Sequence, residues 1–189
     1  PVEISEDGKV IKCEVENRFV RGSVQVTKTD ADYPEKRLTG AVFEVYIDSN
    51  GNKSFDAGID KLVGKLNETE LGVYRIDELK YGGYFLYEKT PPDNYIKTDG
   101  YFYFEIKNDG ETVNIENSEG MGFANKPVAG SLKIVKTSDD GKVKDFSFRV
   151  IGENGYDKVF KTDANGEIVI DGLRLGKYIV SEIADGVSE

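Results

Sequence analysis

Three side chains of this chain are of types that do chemistry together when buried: the amine of Lys28, the carboxyl of Glu88 and the carboxamide of Asn125. Glu88 closes the run Tyr84-Phe-Leu-Tyr-Glu88, four aromatic or aliphatic residues cut off at once by Thr90-Pro-Pro-Asp-Asn94. Such a run reads as a strand buried on both faces with one carboxyl near its end. The pattern recurs as Tyr178-Ile-Val-Ser-Glu182, with a glycine two residues before each tyrosine, Gly82 and Gly176. A carboxyl at the same point of two copies of an apolar strand is expected to have a use. Lys28 follows Val24 and Val26 at the same parity, so it shares their face unless the strand has already ended. Asn125 stands in Gly122-Phe-Ala-Asn125-Lys-Pro127. The bland reading is a surface lysine, an acid in a rim salt bridge and a turn asparagine, since charged residues are usually exposed. Pattern alone leaves both readings open.

Composition narrows the chemistry. The chain has 189 residues, no histidine and one cysteine, Cys13, so Ser-His, Cys-His and His-metal sites and an internal disulfide are all absent. A formal net charge of -10 lacks the basic face that phosphate neutralisation requires, which argues against a nucleic-acid partner. No stretch approaches the roughly 18 consecutive apolar residues of a membrane span. A carboxylate-pair glycosidase is the weakest reading, because no second acid is placed to work with Glu88.

The elements that must position these residues are strands. Ser23–Thr27, Ala41–Ile47, Tyr101–Ile106, Thr112–Ile115, Phe146–Ile151 and Glu167–Ile170 alternate with period two and are rich in β-branched and aromatic residues. Turn dipeptides separate them: Asn50-Gly51, Gly82-Gly83, Asp109-Gly110, Asp140-Gly141, Asn154-Gly155 and Asn165-Gly166. Short strands at this pitch predict a β-sandwich. A short helix over 66–71 is only weakly indicated.

The chain also repeats itself. Asn17 to Lys28 matches Asn125 to Lys136, with the same spacing of eleven and a constant offset of 108. Val2 to Gly8 matches Phe104 to Gly110 at an offset of 102, the difference falling in a loop insertion at 118–122. Gly72 to Leu79 matches Gly166 to Leu173 at an offset of 94. This phase divides the chain into 1–21, the C-terminal strands of one repeat with a turn at Glu6–Lys9; 22–128, a complete unit; and 129–189, a unit lacking its last strands.

Val26-Thr-Lys28-Thr-Asp30, Leu38-Thr-Gly-Ala-Val-Phe43, Tyr84-Phe-Leu-Tyr-Glu88 with Pro92 and Tyr95, and Phe123-Ala-Asn125-Lys-Pro127 together resemble the Cna B-type (SpaA-like, prealbumin-like) domains of Gram-positive surface adhesins and pili. The resemblance implies an all-β, inverse-transthyretin-like (Ig-like) β-sandwich in tandem units. It further implies an autocatalytic isopeptide between Lys28 and Asn125, with Glu88 as the catalytic acid. Lys136 with Glu182, and Asn17 alone, are the corresponding half-sites. The physics suits that chemistry. An ammonium cannot attack an amide, and burial disfavours the charged form of an amine and of a carboxyl alike. A protonated Glu88 is then expected to donate to the Asn125 carbonyl oxygen and to pass its proton to departing ammonia. Holding amine and amide in contact contributes up to roughly 7–11 kcal/mol toward the barrier. This is one turnover on the protein's own side chains, so the chain is not read as an enzyme, and no cofactor is required.

A second motif, Asp48-Ser-Asn50-Gly-Asn52-Lys-Ser-Phe-Asp56-Ala-Gly-Ile-Asp60, places oxygen-bearing side chains with the cadence of a calcium loop. It lacks the sixth-position glycine of the EF-hand, and Asp60 stands one residue past the usual bidentate position. It also resembles calcium loops of related staphylococcal repeats. An acidic hairpin loop and a Ca2+ site both remain open.

The expected role is a structural repeat in the stalk of a cell-wall-anchored extracellular adhesin or pilus, with neighbouring repeats as partners and signal and anchor outside this stretch. The alternative is an adhesive module gripping a host protein or glycan through the 48–60 loop or the aromatic face of Tyr101 and Tyr103. Because 1–21 and 129–189 are complementary pieces of one repeat, head-to-tail strand complementation between chains is also expected, bringing Asn17 to Lys136 and Glu182.

Overall fold

The computed structural model describes residues 2–117 and 119–184. Residue 118 of the expected 118–122 insertion and the end of the 129–189 unit, residues 185–189, lie outside the described residues. The described chain is all β, in fourteen strands and without a helix.

Two sheets make up the 22–128 unit. One holds β4 (Asn67–Glu70), β5 (Val73–Lys80), β1 (Arg21–Asp30) and β8 (Thr112–Ile115) in that order, with β9 (Phe123–Asn125) also paired to β1. The other runs β3 (Lys61–Lys65), β2 (Val42–Ile47), β6 (Gly82–Thr90), β7 (Tyr101–Ile106). Between them lies a core of Val24, Val26, Phe43, Val45, Tyr74, Tyr84, Leu86, Phe104, Ile106 and Phe123, each at most 4% exposed. The period-two runs of β1 and β2 put Val24, Val26, Phe43 and Val45 on the facing sides of the two sheets, which is why the sheets pack.

Strand β1 is central, flanked by antiparallel β5 and by β8 and β9, both parallel to it. Strand β6 is central in the other sheet, between β2 and β7. Its Tyr84, Phe85 and Leu86 are all buried, so this strand is enclosed on both faces over those residues.

The next unit repeats part of this plan. Strands β10 (Ala129–Val135) and β13 (Glu167–Arg174) form one sheet, and β12 (Asp157–Lys161), β11 (Ser147–Gly152) and β14 (Tyr178–Ile183) the other. They correspond to β1, β5, β3, β2 and β6 in order and register: Phe148 pairs with Glu182 as Phe43 pairs with Glu88. Counterparts of β7, β8 and β9 are not among the described residues. Accordingly β14 has one strand neighbour where β6 has two, and Ile179 and Val180 are 67% and 40% exposed.

Several details differ from the pattern reading. Residues 66–71 hold strand β4, not a helix; the segment pairs with β5, and tertiary pairing overrides a weak local signal. Gly82-Gly83 lies inside β6, so that turn is centred one residue earlier, near Tyr81. Residues 2–20 keep a turn at Glu6–Lys9, with the Lys9 amide donating to the Glu6 carbonyl, but form no strands. Two strands without a sheet to join are marginal in water, and nearly every side chain of this segment is exposed.

Candidate functional site

Lys28, Glu88 and Asn125 are brought together inside the complete unit, at 0%, 0% and 1% exposure. Central β1 supplies Lys28, central β6 supplies Glu88, and β9 supplies Asn125. The parallel β1–β9 register sets Lys28 opposite Phe123 and Asp30 opposite Asn125, so amine and carboxamide lie on adjacent strands two positions apart on one face. Lys28 Nζ lies 3.7 Å from Glu88 Oε1 and donates to the Phe123 carbonyl at 2.7 Å. Asn125 Nδ2 donates to Glu88 Oε2 at 2.8 Å and to the Ile96 carbonyl at 2.6 Å, and the Thr98 amide donates to the same Glu88 Oε2 at 2.7 Å. Phe123, wedged edge-on against Phe43 and Phe102, walls the site from water.

Two acceptors in this cluster have no donor: Glu88 Oε1 and Asn125 Oδ1. Each such buried orphan costs about 1–3 kcal/mol, so the three groups are held in an arrangement their hydrogen bonding alone does not favour. Burial lowers the Lys28 ammonium from its ordinary value of 10.5 to about 8, outweighing the opposing pull of Glu88 and Asp30. A usable fraction of neutral amine therefore exists near neutral pH. The carboxamide is turned differently from expectation. Glu88 meets the amide nitrogen of Asn125, not its oxygen, because the Ile96 carbonyl beside it requires a donor. The carboxyl is thus beside the group that would leave as ammonia.

The approach to β9 depends on a glycine. Gly122 has φ +68°, and a Cβ there would fall 2.5 Å from the Thr27 carbonyl oxygen, a backbone atom that cannot yield. Gly122→Ala is expected to push β9 off β1 and lower stability by about 1–3 kcal/mol; urea unfolding measures it.

The family model described as SpaA, a prealbumin-like fold domain, matches residues 22–119 and 130–186. The chain belongs to the SpaA prealbumin-like domain family. Its two matched stretches lie within the 22–128 and 129–189 units. Among solved structures it is similar to the Bacillus anthracis TIE protein, with 28% identity and a TM-score of 0.67, covering 88% of this chain and 29% of that one. It is also similar to BcpA, the major pilin subunit of Bacillus cereus, at 14% identity and TM-score 0.40, covering 86% of this chain and 87% of that one. A C-terminal fragment of the pilus adhesin SpaC from Lactobacillus rhamnosus GG gives 11% identity and TM-score 0.46, with 87% and 75% covered. This chain spans less than a third of the length of the TIE protein chain. No curated protein matches the sequence.

In the second SpaA stretch, Lys136 Nζ and Glu182 Oε2 stand 3.0 Å apart, with side-chain exposures of 21% and 39%. Lys28 and Glu88 are at 0% in the complete domain, so the half-site has the pair without the enclosure. Asn17 is not with them; it lies exposed, outside any strand.

The 48–60 loop of the first SpaA domain spends its oxygens on its own donors. Asp48 accepts from the Gly51 and Lys53 amides, Asp60 from the Ser49 and Asp56 amides, and Asp56 from the side-chain nitrogens of Asn50 and Asn52. Among the described residues no three acidic, histidine or cysteine side chains converge on a metal-sized site. On the aromatic face, Tyr101 stacks on Phe55 at 3.6 Å and on Tyr87 at 4.7 Å, while the Tyr103 hydroxyl donates to Glu105.

A charged contact escaped the pattern reading. Arg174, at the end of β13, reaches back to the first domain and donates to both oxygens of fully buried Asp30, at 2.6 and 2.8 Å, and to Asp32 at 2.6 Å. The Tyr95 hydroxyl donates to Asp30 at 2.7 Å. The only sequence signal was two aspartates after Lys28 in a strand-ending position.

Proposed function

We propose that Lys28 and Asn125 join as an isopeptide, with Glu88 as the acid–base partner, and that the chain is a load-bearing stretch of a Gram-positive surface stalk, a pilus or adhesin shaft. The observation that carries this reading is a wholly buried amine and a wholly buried carboxamide, each set against the same buried carboxyl, with two acceptors left unpaired. Neutral Lys28 Nζ attacks Cγ of Asn125, the new C–N bond forms and the Cγ–Nδ2 bond breaks. Glu88 takes the proton released by the attacking nitrogen and returns it to Nδ2, which leaves as ammonia. No oxidant, metal or cofactor enters the balance, and each domain reacts once. Intact mass tests it: the wild-type chain is expected to weigh one ammonia less than its sequence, and Lys28→Ala, Asn125→Ala or Glu88→Ala to restore the full mass. A wild-type chain of full mass refutes it.

The shaft role draws on membership of the SpaA domain family and on a solved relative from a Gram-positive Bacillus. Family and site geometry favour it over direct adhesion, because the aromatic face is packed upon itself. For the second unit, the reading is that residues 1–21 of another copy complete it. Val2, Ile4, Val10, Val15 and Phe19 are 60–91% exposed in one copy, and Ile179 beside the open edge of β14 is 67% exposed. Paired, each covers the other and Asn17 comes to Lys136 and Glu182. Concentrated wild-type protein is expected to give a ladder of heat-stable oligomers on denaturing electrophoresis, and Asn17→Ala only monomer. A single wild-type monomer band would rule out covalent joining in trans.

A further inference from the structure

The contact between Arg174 and Asp30 does more than hold two domains together. Asp30 is two residues from Lys28 on β1, on the same face, and stands opposite Asn125 in the β1–β9 register. Its carboxylate is therefore a fixed negative charge beside the reacting amine, and it favours the ammonium form of Lys28. The groups around it are Tyr95 at 2.7 Å, the Asp32 amide at 2.9 Å, half-exposed Lys36 at 3.9 Å, and Arg174 in a two-pronged grip. Around Lys28 the charged groups are Glu88 on β6 and Asp30 on its own strand, with the Phe123 carbonyl from β9. Arg174 is thus the closest cation balancing Asp30, and it comes from the other domain.

The linker makes that arrival definite. The Ile96 amide donates to the Lys126 carbonyl and the Val128 amide to the Asn94 carbonyl, both at 2.8 Å, so residues 126–128 are zipped to the first domain. Ala129 pairs with Arg174 at the base of the second domain, which fixes the arginine over the Asp30 end of β1. The guanidinium also lies 4.7 Å over the Tyr33 ring.

We propose that Arg174 is a positioning residue for the Lys28–Asn125 reaction: by neutralising Asp30 it releases the amine from a competing charge, so that docking of the following domain promotes cross-linking in the preceding one. This rests on the isopeptide reading above. The physical basis is the long reach of charge in a poorly hydrated interior. Removing Arg174 leaves Asp30 free to hold Lys28 as an ammonium. Removing the Asp30 charge while keeping Arg174 does the opposite. The two variants carry opposite signs, which a merely structural loosening of the junction does not.

The test uses the full chain obtained unfolded and uncross-linked in urea, diluted into buffers from pH 6 to 10. Folding is followed by tyrosine fluorescence and ammonia loss by mass, so that only the step after folding is compared. Arg174→Gln is expected to move the midpoint of the pH–rate profile up by about one unit, roughly tenfold slower at pH 7 and converging with wild type at pH 10. Asp30→Asn is expected to move it down, Arg174→Lys to restore most of the rate, and the double variant Asp30→Asn/Arg174→Gln to return near wild type. Superimposed profiles for Arg174→Gln and wild type, or shifts of the same sign in the two single variants, overturn the proposal. Should Arg174→Gln fail to fold, the sign of the Asp30→Asn shift decides. A wild-type chain that never loses ammonia removes the isopeptide reading itself and is recognisable as such, since no variant is then needed.

Discussion

Asn125→Ala is expected to destabilise the complete domain by about 4–5 kcal/mol, the largest effect of any single substitution away from the hydrophobic core. The bond it abolishes would close a loop of 97 residues (125 − 28), and cross-link entropy at that loop length gives this magnitude. For a domain of roughly a hundred residues the loss corresponds to about 15–30 °C in melting temperature, read by calorimetry. Lys28→Ala should match it only in part. It removes the bond but also removes an amine that otherwise stays buried at a cost, so its melting temperature is expected to lie above that of Asn125→Ala. Equal melting temperatures for wild type and Asn125→Ala would show that no covalent tie exists.

The second large effect is in pH dependence, and it separates the free amine from the reacted one. In Asn125→Ala, Lys28 remains a titrating group with its folded value lowered from 10.5 to about 8 by burial. Below pH 8 the lysine is protonated in both folded and unfolded chains, so it contributes no slope. Between pH 8 and 10.5 the unfolded chain holds one more proton than the folded one, and stability rises with pH. The full rise is roughly 3 kcal/mol, and above pH 10.5 it is complete. With the proposed cross-link formed, Lys28 of the wild type would be an amide nitrogen and this rise is expected to be absent. Tyr46, Tyr95 and Tyr103, each raised to about 12, titrate alike in both chains and cancel in the difference. Urea melts of the two proteins at pH 7, 8, 9 and 10 measure it, and parallel curves would contradict a free buried amine in the variant.

Much of the fold was legible because its physics is local. Period-two runs such as Tyr101–Ile106 became strands with the expected limits, here β7, and most Gly-containing dipeptides fell in turns. Among the strands that the pattern did not name, β3, β4 and β12 are mostly exposed; an edge strand such as Asn67–Glu70 has no apolar face to betray it and exists because β5 offers a partner. The site residues were legible for the opposite reason. A lysine and a glutamate continuing the inward parity of Val24, Val26 and Leu86 conflict with their surroundings, and such local conflict marks function. Two things were not legible. The orientation of the Asn125 amide depends on the Ile96 carbonyl, which reaches the site from a loop between β6 and β7. The pairing of Asp30 with Arg174 spans 144 residues and two domains, and no periodicity connects them.

Strand β9 runs parallel to β1, and that orientation governs how the domain stretches. A pull applied at residue 22 and at residue 128 slides the two strands past one another lengthwise, the direction in which all their rungs resist together. A covalent rung between them stops the slide before it starts. With the proposed bond formed, the 96 residues between the joined side chains would not pay out, withholding roughly 300 Å of slack from the tether. A shaft of domains so joined would transmit a tug at nearly constant length, whereas an unjoined one would lengthen abruptly, domain by domain, and dissipate the load as heat.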